Sequence, residues 1–481
     1  MPSPTELPAL APERMSRVDT AWLRMDNPGN LMMIVGVWLI EPAITYAALS
    51  ARVADKLLQY ARFRCKVVQD AAGASWLPDP AFDLAQHVRR ETLPRRRGQG
   101  ARAALQQRVG ELAGTALDPA RPLWQFHLVE HHEGGSALIA RVHHCIGDGI
   151  ALISVMLSIT DGGTDPPRRE RRGALPDAAE ADWLADAVVK PLTDLAARAA
   201  GMYGSGLARS VELLASPQQG LLGSLDLART GMRVLGDAAA LALMPDDSPT
   251  RLKGKPCGRK AVAWSDPLPL ADVKHVGKAL GCSINDVLLA CVAGAIGDYL
   301  RDLGDDPAGQ EIRAMVPVNL RPIEQAWKLG NRFGLAPLSL PIGIANPVAR
   351  VYAVRARMLQ LKGSYQPLLA FAVLSLAGLV IKPVQDALLG LFAKKATAVM
   401  TNVPGPATQL KLCGSTLRQT LFWVPASGDI GLGVSILSYG GAVQFGLITD
   451  TALCPDPQHI IDRFSPEFET LLLTTLMLPW E

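Results

Sequence analysis

The sequence predicts an α/β protein of two domains. The chain has 481 residues, more than a single hydrophobic core normally organises. Strand-like and helix-like patterns alternate up to about residue 185, and a second alternating series begins near residue 261. Between the two series, residues 164–176 combine prolines with a run of arginine and glutamate, as is typical of an exposed loop. We therefore assign an N-terminal domain to residues 1–185, a helical connecting segment to 186–250 and a C-terminal domain to 251–481.

The N-terminal series opens with a strand and a helix. Residues 31–40 are almost continuously apolar and predict a strand, whereas residues 48–60 carry apolar side chains at helical spacing. Residues 126–142 contain two apolar runs around a polar, glycine-containing stretch, which indicates a hairpin with His131 and His132 near its tip. The second strand of this hairpin leads directly to the residues that follow position 142.

The connecting segment has helical spacing. The pattern is helical from residue 184 to 244, and apolar side chains between residues 221 and 239 recur at three- and four-residue steps and make one apolar face. This face fits packing between the domains, and it also fits contact with lipid, although glycines weaken it as an independent amphipathic helix. Both interpretations stay open.

Two elements of the C-terminal series can be placed from local signals. Ser283 is a good helix N-cap with Asp286 three positions later, which puts Asn285 and Asp286 in the first turn of a helix. Asp286 then complements the helix dipole, while the Asn285 amide is able to donate to a developing negative charge or to tether the domains. Residues 433–447 contain two apolar runs around adjacent glycines and predict a hairpin.

Residues 143–149 read His-His-Cys-Ile-Gly-Asp-Gly and stand where an apolar strand ends. Side chains on a strand alternate between its faces, so we expect one of His143 and His144 to face packing and the other a cavity. A neutral histidine, with an ordinary pKa of about 6.5, is suited to take a proton from a hydroxyl at neutral pH. Asp148 would fix the loop or the imidazole, and Gly149 would let a substrate approach the backbone.

Other chemistries fit the same residues less well. His131 and His132 form a second adjacent pair, so paired histidines alone identify no site. Neighbouring strand residues rarely share one metal ion and no CxxC or HExxH motif lies nearby, so we expect no metal. Cys145 has an alternative role as a nucleophile, but the seven scattered cysteines favour a structural thiol in a reducing compartment.

Charge and hydropathy limit which partners and which cellular compartment we expect for this protein. Lysine and arginine number 48 against 45 for aspartate and glutamate, and this net charge of +3 gives no reason to expect nucleic acid. The proline-rich N-terminus has no apolar signal core, and the apolar residues 367–381 are fewer than the ~20 of a spanning helix. We expect a cytoplasmic protein that is not secreted, has no transmembrane helix and is able to contact a membrane or lipid droplet surface peripherally.

The His-His-x-x-x-Asp-Gly pattern resembles the active-site motif of the bacterial wax ester synthase/acyl-CoA:diacylglycerol acyltransferase family, within the acyl-CoA-dependent acyltransferase superfamily. Further blocks resemble the family in order and spacing. They are residues 15–23, 118–124, 283–290, 316–321, 330–334 and 401–406. The resemblance therefore covers nearly the whole chain.

The resemblance implies two chloramphenicol acetyltransferase-like domains with an active-site tunnel between them. Acyl-CoA is then a substrate, no cofactor is needed, and the acceptor is diacylglycerol or a long-chain alcohol. His144 would be the general base for direct attack by the acceptor hydroxyl, with His143 in a supporting role. Asp148 would hold the loop through an ion pair, for which Arg321 is the candidate partner from its place in a family block. Asn285 would lie near the channel and is a candidate for oxyanion stabilisation or substrate positioning.

The wall of the implied channel draws on residues from both halves of the chain. The candidates are Pro122, Leu123, Trp124, Gly149 and Asp286. Packing in the core is an equal alternative for Trp124, and helix capping is the alternative for Asp286.

The arginines between residues 89 and 102 also have two interpretations. A run of charge is usually a solvated surface, but guanidinium groups also suit the phosphates of coenzyme A or of anionic lipid. The sequence does not orient these side chains.

Two other classes of protein remain alternatives to the acyl-CoA-dependent enzyme. One is a condensing enzyme of the same superfamily, which needs a carrier-protein partner and an amine acceptor. The other is a lipid-binding protein that keeps the fold without catalysis. The complete motif argues against the second, and the later family blocks argue against the first.

Overall fold

The computed structural model describes residues 11–70, 73–93, 97–163, 237, 240, 243–320, 328–362, 364–377, 385 and 394–477. The elements of the N-terminal half are strand β1 (Glu13–Arg14), helix α1 (Arg17–Arg24), β2 (Met33–Glu41), α2 (Tyr46–Lys56), β3 (Cys65–Asp70), β4 (Gly73–Pro78), β5 (Val88–Glu91), α3 (Ala101–Ala113), β6 (Trp124–His132), β7 (Gly135–His143) and α4 (Gly149–Ser158).

The C-terminal half adds the remaining described elements. They are β8 (Lys260–Trp264), β9 (Leu268–Pro269), α5 (Leu270–Ala279), α6 (Ile284–Asp302), β10 (Ile312–Asn319), β11 (Phe333–Leu340), α7 (Pro347–Lys362), α8 (Gln366–Ala377), β12 (Ala398–Pro404), β13 (Lys411–Leu412), β14 (Ser415–Trp423), β15 (Leu432–Tyr439), β16 (Ala442–Asp450) and α9 (Pro457–Leu476). Two large sheets organise the two halves, and β1, β4 and β3 form a small third sheet.

The N-terminal sheet has the strand order β13-β14-β2-β7-β6-β5. Its strand β2 is apolar at nearly every position because both faces are covered. Ile34, Trp38 and Ile40 pack into one core cluster, whereas Val35 and Val37 pack into another. Burial on both faces removes the need for a polar face, which explains the continuous apolar run in the sequence.

Two strands of the N-terminal sheet come from the C-terminal half of the sequence. Strand β14 pairs antiparallel with β2, and Trp423 stands opposite Val35. Strand β13 pairs with the far end of β14. Residues 411–423 therefore cross over from the C-terminal half of the chain to complete the first sheet.

The C-terminal sheet has the strand order β11-β10-β12-β15-β16-β8, with β9 also paired to β16. Its large core is built around helix α6, which is buried on almost all sides. Ser283 caps this helix and Asp286 completes a capping box, so the predicted helix start is confirmed. The predicted hairpin at residues 433–447 is also confirmed as β15 and β16.

The N-terminal predictions are confirmed where the structure describes them. Strand β2 and helix α2 fall within about two residues of their predicted starts. Strands β6 and β7 form the hairpin, whose turn places Glu133 and Gly134 at positive φ, of 49° and 83°. The loop predicted at residues 164–176 and most of the helical segment predicted at 184–244 lie outside the described residues.

The apolar stretch at residues 367–381 begins in helix α8. Among the described residues, no single helix is long and apolar enough to cross a membrane. Helices α5 and α6 are long and apolar enough only when taken together, but they meet at a bend of 99° and α6 lies in the core of the C-terminal domain.

Candidate active site

The turn between β7 and α4 carries the His-His-x-x-x-Asp-Gly motif, with Asp148 as the N-cap of the helix. Asp148 Oδ1 accepts a hydrogen bond from the backbone N–H of Ala151 at 2.9 Å, which satisfies a donor that the first helical turn leaves open. Its Oδ2 accepts from the backbone N–H of Arg332 at 3.0 Å, and its own N–H donates to the carbonyl of Gly330 at 3.3 Å. Asp148 therefore joins the motif to the C-terminal domain.

His144 faces a cavity between the two domains and is 2 % exposed. Its ring stacks on the indole of Trp22, with centroids 4.1 Å apart and an interplanar angle of 15°. Its backbone N–H donates to the carbonyl of Met32 at 2.7 Å, and its carbonyl accepts from Asn331 Nδ2 at 2.8 Å. Burial, with a smaller effect of His143, lowers the pKa of His144 to about 3. The ring is therefore neutral at pH 7 and is able to accept a proton.

His143 points away from the cavity and holds the turn together. Its Nδ1 lies 3.1 Å from the backbone nitrogen of Cys145, and its Nε2 lies 3.3 Å from Asp26 Oδ2. Burial acts to lower the pKa of His143, but the charge on the Cys145 sulfur, the Asp26 carboxylate and the hydrogen bonds to both outweigh it and raise the pKa to about 10. The Cys145 side chain lies in the N-terminal core, away from the residues that line the cavity.

A buried carboxylate, Asp19, connects three segments behind the motif. Its Oδ1 accepts from the side chain and from the backbone N–H of Asn331, at 2.7 and 3.0 Å. Its Oδ2 accepts from Arg62 at 3.0 Å, and Arg62 also donates to the carbonyl of Ile146 at 2.8 Å. Since Asn331 donates to the carbonyl of His144 as well, this network holds the backbone of the motif from both domains.

Sequence reasoning assigned no role to Trp22, Asp19 or Asn331. A signal for them was present, because all three lie in the family-like blocks at residues 15–23 and 330–334. The sequence could not show that these two blocks meet at the motif, since they are separated by more than 300 residues.

The cavity has a volume of about 300 Å³ and lies between the domains. The N-terminal domain contributes α1 and the motif turn, and the C-terminal domain contributes β10, β11, β12 and α8. The wall is mostly apolar. It consists of Trp22, Met25, His144, Asp148, Gly149, Ile150, Met315, Pro317, Asn319, Phe333, Leu335, Ala370, Val373, Leu374, Val399, Thr401, Asn402, Val403, Pro404, Phe422, Val424, Pro425, Ser427 and Ile430. An apolar wall with a few polar groups is the usual lining of a small-molecule site.

The channel candidates from the sequence divide into two groups. Gly149 lines the cavity, whereas Pro122, Leu123 and Trp124 do not and are buried in the N-terminal domain instead. Trp124 stacks on a buried histidine of its own core, and its Nε1 donates to the carbonyl of Phe63 at 2.9 Å. A strand that is buried on both faces turns its large side chains into the core on either side, so Trp124 has the packing role that was its alternative.

Asn285 and Asp286 also lie outside the cavity wall. Asp286 is 5 % exposed and caps α6, accepting from the backbone N–H of Ser283 at 2.8 Å. Asn285 is exposed, and its Oδ1 accepts from Asn402 Nδ2 at 2.9 Å. Asn402 does line the cavity. Asn285 is therefore connected to the cavity wall only through its hydrogen bond with Asn402.

Two of the arginines considered for phosphate binding form ion pairs at the surface, and the candidate partner of Asp148 lies outside the described residues. Arg90 lies 3.6 Å from a carboxylate oxygen of Glu130, and Arg102 lies 2.8 Å from one of Asp266. Arg321, the candidate ion-pair partner of Asp148, lies outside the described residues.

Solved structures share this arrangement of domains. A wax ester synthase/diacylglycerol acyltransferase from Marinobacter aquaeolei VT8 matches with a TM-score of 0.63 and 20 % identity, over 96 % of this chain and 100 % of that chain. The first condensation domain of the calcium-dependent antibiotic synthetase matches with a TM-score of 0.57 and 14 % identity, over 98 % and 97 %. These likenesses show the fold. The fold class is therefore that of two chloramphenicol acetyltransferase-like domains, here with a histidine motif at the cavity between them.

Family profiles identify the family within this class. The profile "Wax ester synthase/diacylglycerol acyltransferase catalytic domain" matches residues 15–288, and "WS/DGAT C-terminal domain" matches residues 329–472. A protein of Mycobacterium tuberculosis (strain ATCC 25618 / H37Rv) named "Probable diacylglycerol O-acyltransferase tgs1" is 26 % identical over 457 residues, which are 92 % of each chain. The chain belongs to the wax ester synthase/diacylglycerol acyltransferase family and is an acyl-CoA-dependent acyltransferase.

Proposed function

We propose that this enzyme transfers a long-chain fatty acyl group from acyl-CoA to the hydroxyl of diacylglycerol, of a long-chain alcohol, or of both. The observation that carries the proposal is the neutral His144 in the wall of a largely apolar interdomain cavity. Apolar walls favour an alkyl chain, and a neutral imidazole accepts a hydroxyl proton. The names of the Mycobacterium and Marinobacter relatives support the two classes of acceptor.

In the proposed reaction, His144 removes the acceptor's hydroxyl proton while the oxygen attacks the thioester carbonyl carbon. A new C–O bond forms and the carbonyl electrons move to its oxygen, which gives a tetrahedral oxyanion. When the carbonyl reforms, the C–S bond breaks and the coenzyme A sulfur takes the proton back from His144. The products are the ester and coenzyme A, with neutral His144 restored and no acyl-enzyme formed. No cofactor takes part in this scheme.

We assign the proton transfer to Nε2 of His144. Nδ1 is fully buried and therefore out of reach of the acceptor hydroxyl. Asp148 acts through the backbone of the motif, because its carboxylate accepts from two backbone N–H groups. Asn285 acts through Asn402, which it orients at the cavity wall.

A product assay tests this function. Purified protein is given labelled palmitoyl-CoA with hexadecanol or diolein, beside the variants H144A and H131A. We expect ester from at least one acceptor, a loss of about 100-fold or more in H144A, and wild-type activity in H131A, whose histidine is exposed at the hairpin tip. Circular dichroism confirms that H144A is folded. The ratio of the two esters identifies the preferred acceptor.

Two results would contradict the proposal. Full activity in folded H144A would exclude this residue as the base. The absence of ester with both acceptors would favour a condensing enzyme that needs a carrier protein and an amine, or a lipid-binding protein. An assay with an acylated carrier protein and an amine separates those two classes.

We also propose that the enzyme contacts a membrane or lipid droplet surface peripherally. The acceptors are insoluble in water, and the end of helix α9 exposes Leu473, Leu476 and Met477, which are 61 %, 48 % and 85 % exposed. Exposed apolar side chains gain free energy on entering a lipid interface. Co-sedimentation with phosphatidylcholine vesicles tests this contact, and a protein that stays in the supernatant at all lipid concentrations contradicts it.

A further inference from the structure

Trp22 covers one face of the His144 ring. The two rings are nearly parallel, with centroids 4.1 Å apart, and Trp22 is 5 % exposed. Phe333 lies at the side of both, with its centroid 5.7 Å from that of Trp22 and 5.5 Å from that of His144. All three side chains line the cavity. The imidazole therefore has an aromatic surface on one face where the rest of the wall is mostly aliphatic.

The proposed reaction places a positive charge on this ring. His144 is neutral before the reaction and becomes an imidazolium when it takes the acceptor's proton. A cation in an apolar cavity is costly because it has lost its water, so an interaction that favours the cation lowers the barrier. A cation within about 6 Å of an indole centroid is attracted by the negative face of the ring.

We infer that Trp22 is a catalytic residue that stabilises the His144 imidazolium in the transition state through its indole face. The inference rests on the proposed role of His144 as the general base. The interaction is absent while the imidazole is neutral and appears as the proton arrives. It therefore raises kcat and leaves the binding of acyl-CoA unchanged.

Helix α1 holds Trp22 in this position. Ser16 caps the helix by accepting from the backbone N–H of Asp19 at 3.1 Å. Asp19, one turn before Trp22, is bound to Asn331, which also binds the carbonyl of His144. The same helix thus fixes the ring of His144 from one side and its backbone from another, so the stacking distance depends on α1 and on the C-terminal domain together.

The experiment varies the charge of the indole face while keeping its shape. Tryptophan with one, two or three ring fluorines is incorporated at position 22 alone by stop-codon suppression, and kcat and KM for palmitoyl-CoA are measured. We expect kcat to fall stepwise with each fluorine, by about 2-fold to 30-fold over the series, since fluorine withdraws the electron density that attracts the cation. KM stays constant. A residue that only packs would give no such trend.

The same series at Trp38 is the matched control. Trp38 is buried in strand β2 and is not among the residues that line the cavity. We expect its fluorinated forms to keep wild-type kcat. W22F, which retains an aromatic face, should retain more activity than W22L, and thermal unfolding shows whether each variant is folded.

The outcomes separate this inference from the proposed function. A flat series at position 22 together with an inactive H144A overturns the role of Trp22 and leaves His144 as the base. An active H144A overturns the proposed base, and the imidazolium with it. A stepwise fall in kcat at Trp22 but not at Trp38 supports both.

Discussion

His143 and His144 are adjacent in the chain and have opposite surroundings. His143 is held by Asp26 and Cys145, and its pKa is raised to about 10, whereas the pKa of His144 is lowered to about 3. One side chain keeps the turn in place and the other stays neutral at the cavity. Strand alternation predicts the separation of the two roles, but the cause of each pKa shift lies in residues from other segments.

Asp148 is a third residue of the motif, and we expect D148N to lose stability and activity together. The carboxylate accepts from the backbone N–H groups of Ala151 and Arg332, and an amide has one oxygen to offer to these two donors. One N–H then faces the amide NH₂, which should lower the free energy of unfolding by about 1–3 kcal/mol. Urea unfolding and kcat measure the two effects.

The control for this variant is D266N. Asp266 pairs with Arg102 at an exposed surface, where an ion pair contributes about 0–1 kcal/mol. Unchanged stability in D148N with a large fall in kcat would show that Asp148 takes part in the chemistry rather than in holding the turn.

Among the elements, helix α8 depends on one glycine for its distance from strand β11. Ala370, Val373 and Leu374 of this helix form part of the cavity wall. Gly334 of β11 faces the helix so closely that a Cβ atom there would lie 1.8 Å from the carbonyl oxygen of Pro367. The position of this wall is therefore set by a backbone contact that no larger residue permits.

We expect G334A to displace α8 and to reduce both stability and acyl transfer. A methyl group against a backbone carbonyl cannot be accommodated by a side-chain rotation, so the free energy of unfolding should fall by about 1–3 kcal/mol or more. Thermal unfolding and the product assay check this. In G100A the new Cβ meets nothing within 4 Å, so this control at the N-cap of α3 should keep acyl transfer and change the free energy of unfolding by less than about 1 kcal/mol. A wild-type melting temperature in G334A would show that the helix is free to shift.

In the whole molecule, the two domains share strands, buried networks and the catalytic cavity. Strand β14 pairs with β2, which lies more than 300 residues earlier in the sequence. Asn331 binds both Asp19 and His144. Unfolding of one domain therefore disturbs the other. Buried titratable groups in either domain contribute to the pH dependence of the stability of the whole.

His127 offers a test of this pH dependence. Burial lowers its pKa to about 4, against the opposing effect of Glu91, whose Oε1 lies 2.8 Å from Nδ1. The unfolded chain binds a proton here below pH of about 6.5 and the folded chain does not. The contribution of His127 to the free energy of unfolding is therefore complete above pH of about 6.5. It decreases by about 3 kcal/mol as the pH falls towards 4. In H127Q, urea unfolding from pH 4 to 7 should show a flatter curve, and an unchanged slope would contradict this.

Local patterns alone identified the histidine motif at a strand end, strand β2, the β6-β7 and β15-β16 hairpins and the start of α6, whereas the family-like blocks came from resemblance to a known family. These features are readable because they depend on hydrogen bonds and burial within a few residues. The tertiary structure alone decided that Trp22 stacks on His144, that Asp19 meets Asn331, that Trp124 packs in the core and that residues 411–423 complete the N-terminal sheet. These contacts join residues far apart in the chain, and their partners follow from how the two cores pack together, which no local pattern specifies.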